Sequence, residues 1–252
     1  MNDKITVALL GRTGSGKSTI ANMLLNGDLS DDNFFGIGDS ARGTTDSIDF
    51  IINEKIGIFD TVGLGENKRG NVEHSKAIKM IRNHFAVPFV SFNYICYVKA
   101  KDRFIDDDRK NFNEFKEIFS DCDRNIVIII THCKQKWINE NSQTIEDYFG
   151  NYPVIGVDFP SEDEDDDDGD KQKKKERRTQ NLNHLLQTFS ALNYKGIKIE
   201  VLSSLEATED KVQRWFGFVP EFAVLYKITS AGVYYLKGKP KIAKRRLVEG
   251  TY

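Results

Sequence analysis

The sequence predicts an α/β domain in which a mainly parallel β-sheet is covered by helices on both faces. Short apolar runs of strand length alternate with segments of helical spacing as far as about residue 203. Several of these runs are apolar throughout, as expected for strands that are buried on both faces. The first run leads directly into a glycine-rich turn, which is typical of a strand that feeds a ligand-binding loop.

The individual elements follow from residue type and periodicity. Strands are predicted at 4–10, 49–53, 55–59, 92–98, 125–130 and 197–202, where β-branched and aromatic residues concentrate. Helices are predicted at 17–25, 72–85, 106–119 and 179–189, where apolar residues recur every three or four positions. The Asn26-Gly27 pair is expected to end the first helix.

Two charged regions define the expected domain organisation. Residues 1–203 are predicted to form one domain, and residues 204–252 a small C-terminal extension of undefined fold with a basic end. Within the domain, 161–170 contains eight acidic residues and 171–178 contains six basic ones. Because such a composition favours solvation over burial, 161–178 is predicted to be a solvated loop or a disordered insertion.

The composition excludes several classes of protein. The chain has 252 residues, of which 39% are hydrophobic and 29% charged, and no apolar run approaches the ~20 residues of a membrane-spanning helix. Three scattered cysteines are too few for a disulfide framework or a four-ligand zinc site. A net charge of −2 and the lack of a signal-peptide pattern favour a cytoplasmic protein without a nucleic-acid partner. Membrane association by another route stays open.

The strongest motif is the segment from Gly11 to Ser18, which reads GRTGSGKS and fits G-x-x-x-x-G-K-[ST]. In such a P-loop, backbone N–H groups and the helix N-terminus surround phosphate oxygens, and a lysine reaches the β- and γ-phosphates. Lys17 is therefore predicted to bind phosphate and to act in catalysis, and Ser18 to bind Mg²⁺. The predicted nucleotide-binding residues of this segment are Gly11, Arg12, Thr13, Gly14, Ser15, Gly16, Lys17, Ser18 and Thr19.

A γ-phosphate sensor is predicted at Asp60-Thr61-Val62-Gly63, a D-x-x-G pattern that follows an apolar strand. Asp60 would hold Mg²⁺ through water, and the Gly63 N–H would contact the γ-phosphate, which favours a GTPase-type switch. Thr44 or Thr45 would complete the Mg²⁺ shell and take part in catalysis. For each threonine taken singly, a polar surface loop is almost as good an interpretation.

With these motifs, the sequence resembles the AIG-type (GIMAP-like) GTPases and their septin and chloroplast-import-receptor relatives. The resemblance covers roughly residues 4–203 and includes DTVGLGE and the box at 101–119. It implies a three-layer Ras-like G domain that binds GTP or GDP with Mg²⁺ and forms a nucleotide-dependent homodimer. It also implies that Arg103 lies at the dimer interface, although a solvated arginine is an equally good interpretation.

Slow hydrolysis is expected, because Leu64 occupies the position at which Ras-like enzymes carry a water-orienting glutamine.

The sequence departs from the GTPase pattern where guanine should be recognised. After the strand at 125–130, the chain reads Thr131-His132-Cys133-Lys134-Gln135, with no carboxylate to accept hydrogen bonds from guanine. Thr131 and His132 resemble the family's variants and are predicted to contact the nucleotide, and 156–160 is either a second base-side loop or a plain strand end. Two alternatives to a slow GTP switch therefore remain: a scaffold that retains nucleotide without cycling, and an ATP-using P-loop protein.

Overall fold

The computed structural model describes residues 4–29, 49–52, 56–60, 82–83, 85–86 and 90–200. Six strands form one sheet in the order β2-β3-β1-β4-β5-β6. All neighbouring strands are parallel except β2, which pairs antiparallel with β3. The strands are β1 Ile5–Gly11, β2 Asp49–Ile52, β3 Ile56–Asp60, β4 Tyr94–Ala100, β5 Ile126–Thr131 and β6 Val154–Gly156.

Five α-helices have both ends within the described ranges, and residues 82, 83 and 85 are also helical. The five helices are α1 Lys17–Asn26, α2 Asp106–Ile118, α3 Gln135–Glu140, α4 Ser142–Phe149 and α5 Asp168–Leu192, and a 3₁₀ turn at Asp123–Asn125 precedes β5. Helix α1 ends where the sequence predicts, because Gly27 adopts a left-handed conformation and its N–H bonds to the Met23 carbonyl.

Two apolar layers enclose the sheet. On one face, Ile20 of α1 and Leu185 and Phe189 of α5 pack with strand residues such as Leu9 and Val98. On the other face, the apolar residues of α2 and α4 pack with the alternate strand residues. These two layers confirm the predicted three-layer α/β fold with a mainly parallel sheet.

Most of the predicted strands and the helix at 106–119 are confirmed within one or two residues at each boundary. The strand predicted at 197–202 is wrong for its described part. Ile197 forms only an isolated bridge with Phe92, and residues 198–200 are not in a strand. The helix at 72–85 lies largely outside the described residues, as does the extension at 204–252. The domain boundary at 203 therefore stays a prediction.

The disorder predicted for 161–178 is wrong. Helix α5 begins at Asp168, and the side chain of Asp167 accepts a hydrogen bond from the Asp170 N–H at 2.8 Å. Acidic groups at a helix N-terminus offset the partial positive charge there, and the basic residues that follow lie within reach of them. Lys174 pairs with both Asp163 and Asp166 at 2.6 Å, so the two charge blocks neutralise each other locally. The blocks therefore form an ordered cap and the first turns of a helix.

Cys96, Cys122 and Cys133 are buried free thiols. None of the helices in the described ranges is long and apolar enough to cross a membrane.

Candidate nucleotide site

The GRTGSGKS segment connects β1 to α1 at the carboxyl edge of the sheet. β1 lies between β3 and β4, so the chain leaves β1 toward one side of the sheet and later returns on the other side. Ligands of open parallel sheets bind at this kind of crossover, outside the carboxyl ends of the strands. The fold thus places the predicted phosphate loop where the architecture leaves room for a ligand.

Glycine is required at two positions of this loop. A Cβ at Gly11 would lie 2.0 Å from the Val98 carbonyl oxygen of β4, so no side chain fits there. Gly16 has a left-handed φ of 88°, and a Cβ at this position would lie 3.1 Å from Cγ2 of Thr131. Both glycines let the loop pack closely on the ends of β4 and β5 and turn directly into α1.

Lys17 is the first residue of α1, and its side chain folds back over the loop. Only 6% of the residue is exposed, and Nζ donates to the carbonyl oxygens of Gly11 at 3.2 Å and Arg12 at 3.0 Å. These bonds fix a positive charge inside the curve of the loop. A phosphate chain in that curve would therefore meet a cation that is already positioned.

Ser15 and Thr131 connect the loop to β5. The Thr131 hydroxyl donates to the Ser15 carbonyl oxygen at 2.9 Å, and both residues are buried. The Ser15 hydroxyl has no hydrogen-bond partner in the described part of the chain. An orphaned buried hydroxyl and a turned-back lysine are consistent with a loop built for a polar ligand. The residues present therefore fit a bound phosphate group.

The structure describes only some of the remaining residues that are predicted to bind phosphate or metal. Ser18 and Thr19 lie half-buried in the first turn of α1, and Arg12, Thr13 and Gly14 are exposed along the loop. Asp60 is the last residue of β3, and its backbone pairs with Leu9 of β1, two residues before Gly11; its role as a Mg²⁺ residue stays a prediction. The predictions for Thr44, Thr45, Gly63 and Leu64 lie outside the described residues.

The base-side loop at 131–135 follows β5 on the same edge of the sheet. His132 is exposed and has a left-handed φ of 57°, and Lys134 is exposed immediately before α3. Cys133 points inward, and burial raises the pKa of its thiol to about 11. The thiol therefore stays protonated near neutral pH, which argues against a role as a nucleophile.

Gln135 has a role that the sequence did not reveal. Its Oε1 accepts from the Gly156 N–H at 3.0 Å and lies 3.2 Å from Nε2 of His184. The amide oxygen that could have accepted a hydrogen bond from a base is therefore engaged within the protein. The loops after β5 and β6 are also joined by the Cys133 N–H, which donates to the Val157 carbonyl at 3.2 Å.

Arg103 lies on the exposed loop that follows β4. A buried ion pair anchors this loop, because Lys99 contacts Asp108 at 3.2 Å and Asp108 accepts from the Ile105 N–H at 3.0 Å. Ile105 itself is 44% exposed. The loop therefore presents a cation and an apolar side chain to solvent on a fixed backbone.

One comparison with known proteins identifies a family for this chain. The family model described as "50S ribosome-binding GTPase" matches residues 6–148, which is more than half of the chain. None of the curated proteins matches.

A solved structure titled "Crystal structure of Era in complex with MgGDPNP and nucleotides 1506-1542 of 16S ribosomal RNA" is 15% identical, with a TM-score of 0.49. The match covers 82% of this chain and 61% of that one, so less than two thirds of the other protein's length is represented here. The family match over the phosphate loop and the sheet that carries it shows that this chain belongs to the 50S ribosome-binding GTPase family of P-loop GTPases, which bind GTP and GDP.

Proposed function

We propose that this protein is a guanine-nucleotide switch that hydrolyses GTP slowly and is regulated by nucleotide-dependent dimerisation. The observation that carries the proposal is the buried Lys17 ammonium, held against the Gly11 and Arg12 carbonyls inside a loop that has no room for side chains on its β4 side. This arrangement suits a triphosphate better than a smaller anion, because the cation lies within the curve where β- and γ-phosphates would lie.

Ser18 and Asp60 are the residues proposed to hold Mg²⁺, with Thr44 or Thr45. Their donor set of hydroxyl and carboxylate oxygens is the kind that Mg²⁺ prefers. When bound, Mg²⁺ would neutralise charge on the phosphates during hydrolysis. Gly63 is proposed to contact the γ-phosphate through its N–H, and Leu64 supplies no group that can orient water. These assignments rest on the sequence pattern and support slow turnover.

The proposed dimer forms through the nucleotide face, as in the AIG-type branch that the sequence resembles. The anchored loop after β4 supports it, since Arg103 and Ile105 are exposed on the same edge of the sheet as the phosphate loop. A fixed cation at this edge could face the nucleotide of a second copy and stabilise charge that develops during hydrolysis.

Single-turnover hydrolysis of GTP at several protein concentrations tests the proposal. We expect slow, Mg²⁺-dependent phosphate release whose specific rate rises with protein concentration. Arg103→Ala should flatten that rise, whereas Arg124→Ala should not, because Arg124 is exposed before β5 at the opposite edge of the sheet. A rate that does not depend on protein concentration would contradict the proposed dimerisation. The absence of hydrolysis would contradict the proposal that the protein is a GTPase.

The second candidate function is a scaffold that binds nucleotide without hydrolysing it. Leu64 favours it, because leucine cannot orient an attacking water, and the loop 131–135 also lacks a carboxylate for guanine. Both candidates require GTP binding, so only the hydrolysis assay distinguishes them. An ATP-using protein is the less favoured candidate, since family membership indicates a GTPase.

We also propose a cytoplasmic location and no nucleic-acid partner. The family description names ribosome binding, which is an argument against this proposal. The argument for it is the net charge of −2, which provides no global attraction to RNA. Co-sedimentation with ribosomes in the presence of GTP would overturn the second part of this proposal.

A further inference from the structure

The middle of α5 contacts the loop that follows β6. The Asp158 N–H donates to Oδ1 of Asn181 at 3.0 Å, and the Asp158 carboxylate forms an ion pair with Arg177. Arg178 donates from Nη1 to the Pro160 carbonyl oxygen at 3.0 Å. Three residues of one helix therefore contact Asp158 and Pro160 in this loop.

Arg178 also reaches beyond this loop. It is only 1% exposed, and its Nε contacts Oδ1 of Asp28 at 2.5 Å while its Nη2 contacts Oε1 of Glu162 at 2.9 Å. Asp28 follows α1 directly, on the chain that leads from the phosphate loop toward Thr44 and Thr45. One guanidinium thus joins the end of α1, the loop after β6 and the start of the acidic segment.

The charges in this cluster compensate one another. Burial disfavours the ionised form of Asp28, but its bonds with Arg178 and the Leu29 N–H outweigh that effect and lower its pKa. Burial also opposes ionisation of Arg178, and its bonds with Asp28 and Glu162 outweigh it and raise its pKa. Both groups are therefore charged at neutral pH, and opposite charges face each other in the cluster.

The other end of the same loop is fixed from the nucleotide side. The Gly156 N–H bonds to Gln135, and the Val157 N–H donates to the Ile130 carbonyl at 2.9 Å. Residues 157–160 are consequently held between the base-side loop at 131–135 and helix α5. Loss of either support would let this segment shift relative to the base, while the phosphate loop at the end of β1 would keep its own contacts.

We propose that Arg178 is a positioning residue for the nucleotide base, holding the loop at 157–160 and the residues after α1 in one arrangement. This inference rests on the proposed nucleotide function. Arginine suits the role because its planar fork donates in several fixed directions at once, to a carbonyl and to two carboxylates. Lysine would keep the charge but would lose that simultaneous geometry.

The test compares two ligands that share the phosphate loop. Dissociation constants of GTP and of inorganic tripolyphosphate, both with Mg²⁺, are measured for the wild type and Arg178→Lys. We expect GTP to bind about tenfold more weakly to Arg178→Lys, in the range of one lost charge-assisted hydrogen bond, while the affinity for tripolyphosphate is unchanged. Equal weakening of both ligands, or of neither, would overturn the inference.

A second variant separates positioning from general stability. Leu185→Ala removes a fully buried side chain of α5 that packs on the sheet, so it should lower the melting temperature without changing the ratio of the two dissociation constants. If Arg178→Lys does not fold, Glu162→Gln and Asp28→Asn take its place with the same expectation. If wild-type protein binds neither ligand, the proposed function itself fails, which this design distinguishes from failure of the Arg178 role.

Discussion

Replacing Thr131 by valine tests how the phosphate loop is held. Valine keeps the shape of threonine but removes the hydroxyl that donates to the Ser15 carbonyl at 2.9 Å. Both residues are buried, so the carbonyl loses its donor where water has little access. Leaving a buried acceptor unsatisfied costs about 1–3 kcal/mol, and each kcal/mol lowers the melting temperature of a domain of this size by about 2–4 °C.

Thr131→Ser is the matched control, because it keeps the hydroxyl and removes only the methyl group beside Gly16. Thermal unfolding gives the stability of each variant, and titration with fluorescent GTP gives its affinity. We expect Thr131→Val to weaken GTP binding and Thr131→Ser to retain it, even if both variants unfold at lower temperature. Equal GTP affinity in the two variants would refute the role assigned to the hydroxyl.

Three further predictions follow from the described contacts. Lys17→Ala should abolish measurable triphosphate binding in a titration, because it removes the buried cation of the loop, whose bonds to charged oxygens contribute about 1.5–3 kcal/mol each. Lys134→Asp should increase the preference for GTP over ATP by roughly ten- to a hundredfold in competition titrations, since Lys134 is exposed after β5. Gln135→Asp should not change this preference, because the Gln135 side chain is hydrogen-bonded to Gly156. Asp28 has a pKa below its ordinary 3.8, so its contribution to stability is complete above that value and disappears as the pH falls through the lower folded-state pKa. Chemical denaturation below pH 3.8 should therefore show a smaller acid-induced loss in Asp28→Asn than in the wild type, and equal losses would contradict the assignment.

Elements whose formation depends on local pattern could be predicted from the sequence. The strand predicted at 125–130 is apolar from 126 to 130, and the helix at 106–119 places its phenylalanines on one face, so both follow from sequence pattern alone. The phosphate loop was predictable because its chemistry requires glycine, lysine and serine at fixed spacing.

Long-range contacts were not predictable in this way. Residues 161–178 have the composition of a disordered segment, and the order comes from contacts such as that between Arg178 and Asp28, which lie 150 positions apart. Likewise, the position of Gln135 after a strand does not show that its amide oxygen bonds to Gly156, which belongs to the next strand. The strand predicted at 197–202 had suitable residue types, and only tertiary pairing could show that Ile197 makes a single bridge.

The central claim is that the loop formed by Gly11 to Ser18 binds a guanine triphosphate. Isothermal titration of the purified, nucleotide-free protein with GTP and with ATP, in the presence of Mg²⁺ and with Lys17→Ala as the control, tests it most directly. The account predicts one saturable site for GTP, tighter than for ATP and lost in the variant. Tighter binding of ATP, or GTP binding that survives in Lys17→Ala, would contradict it.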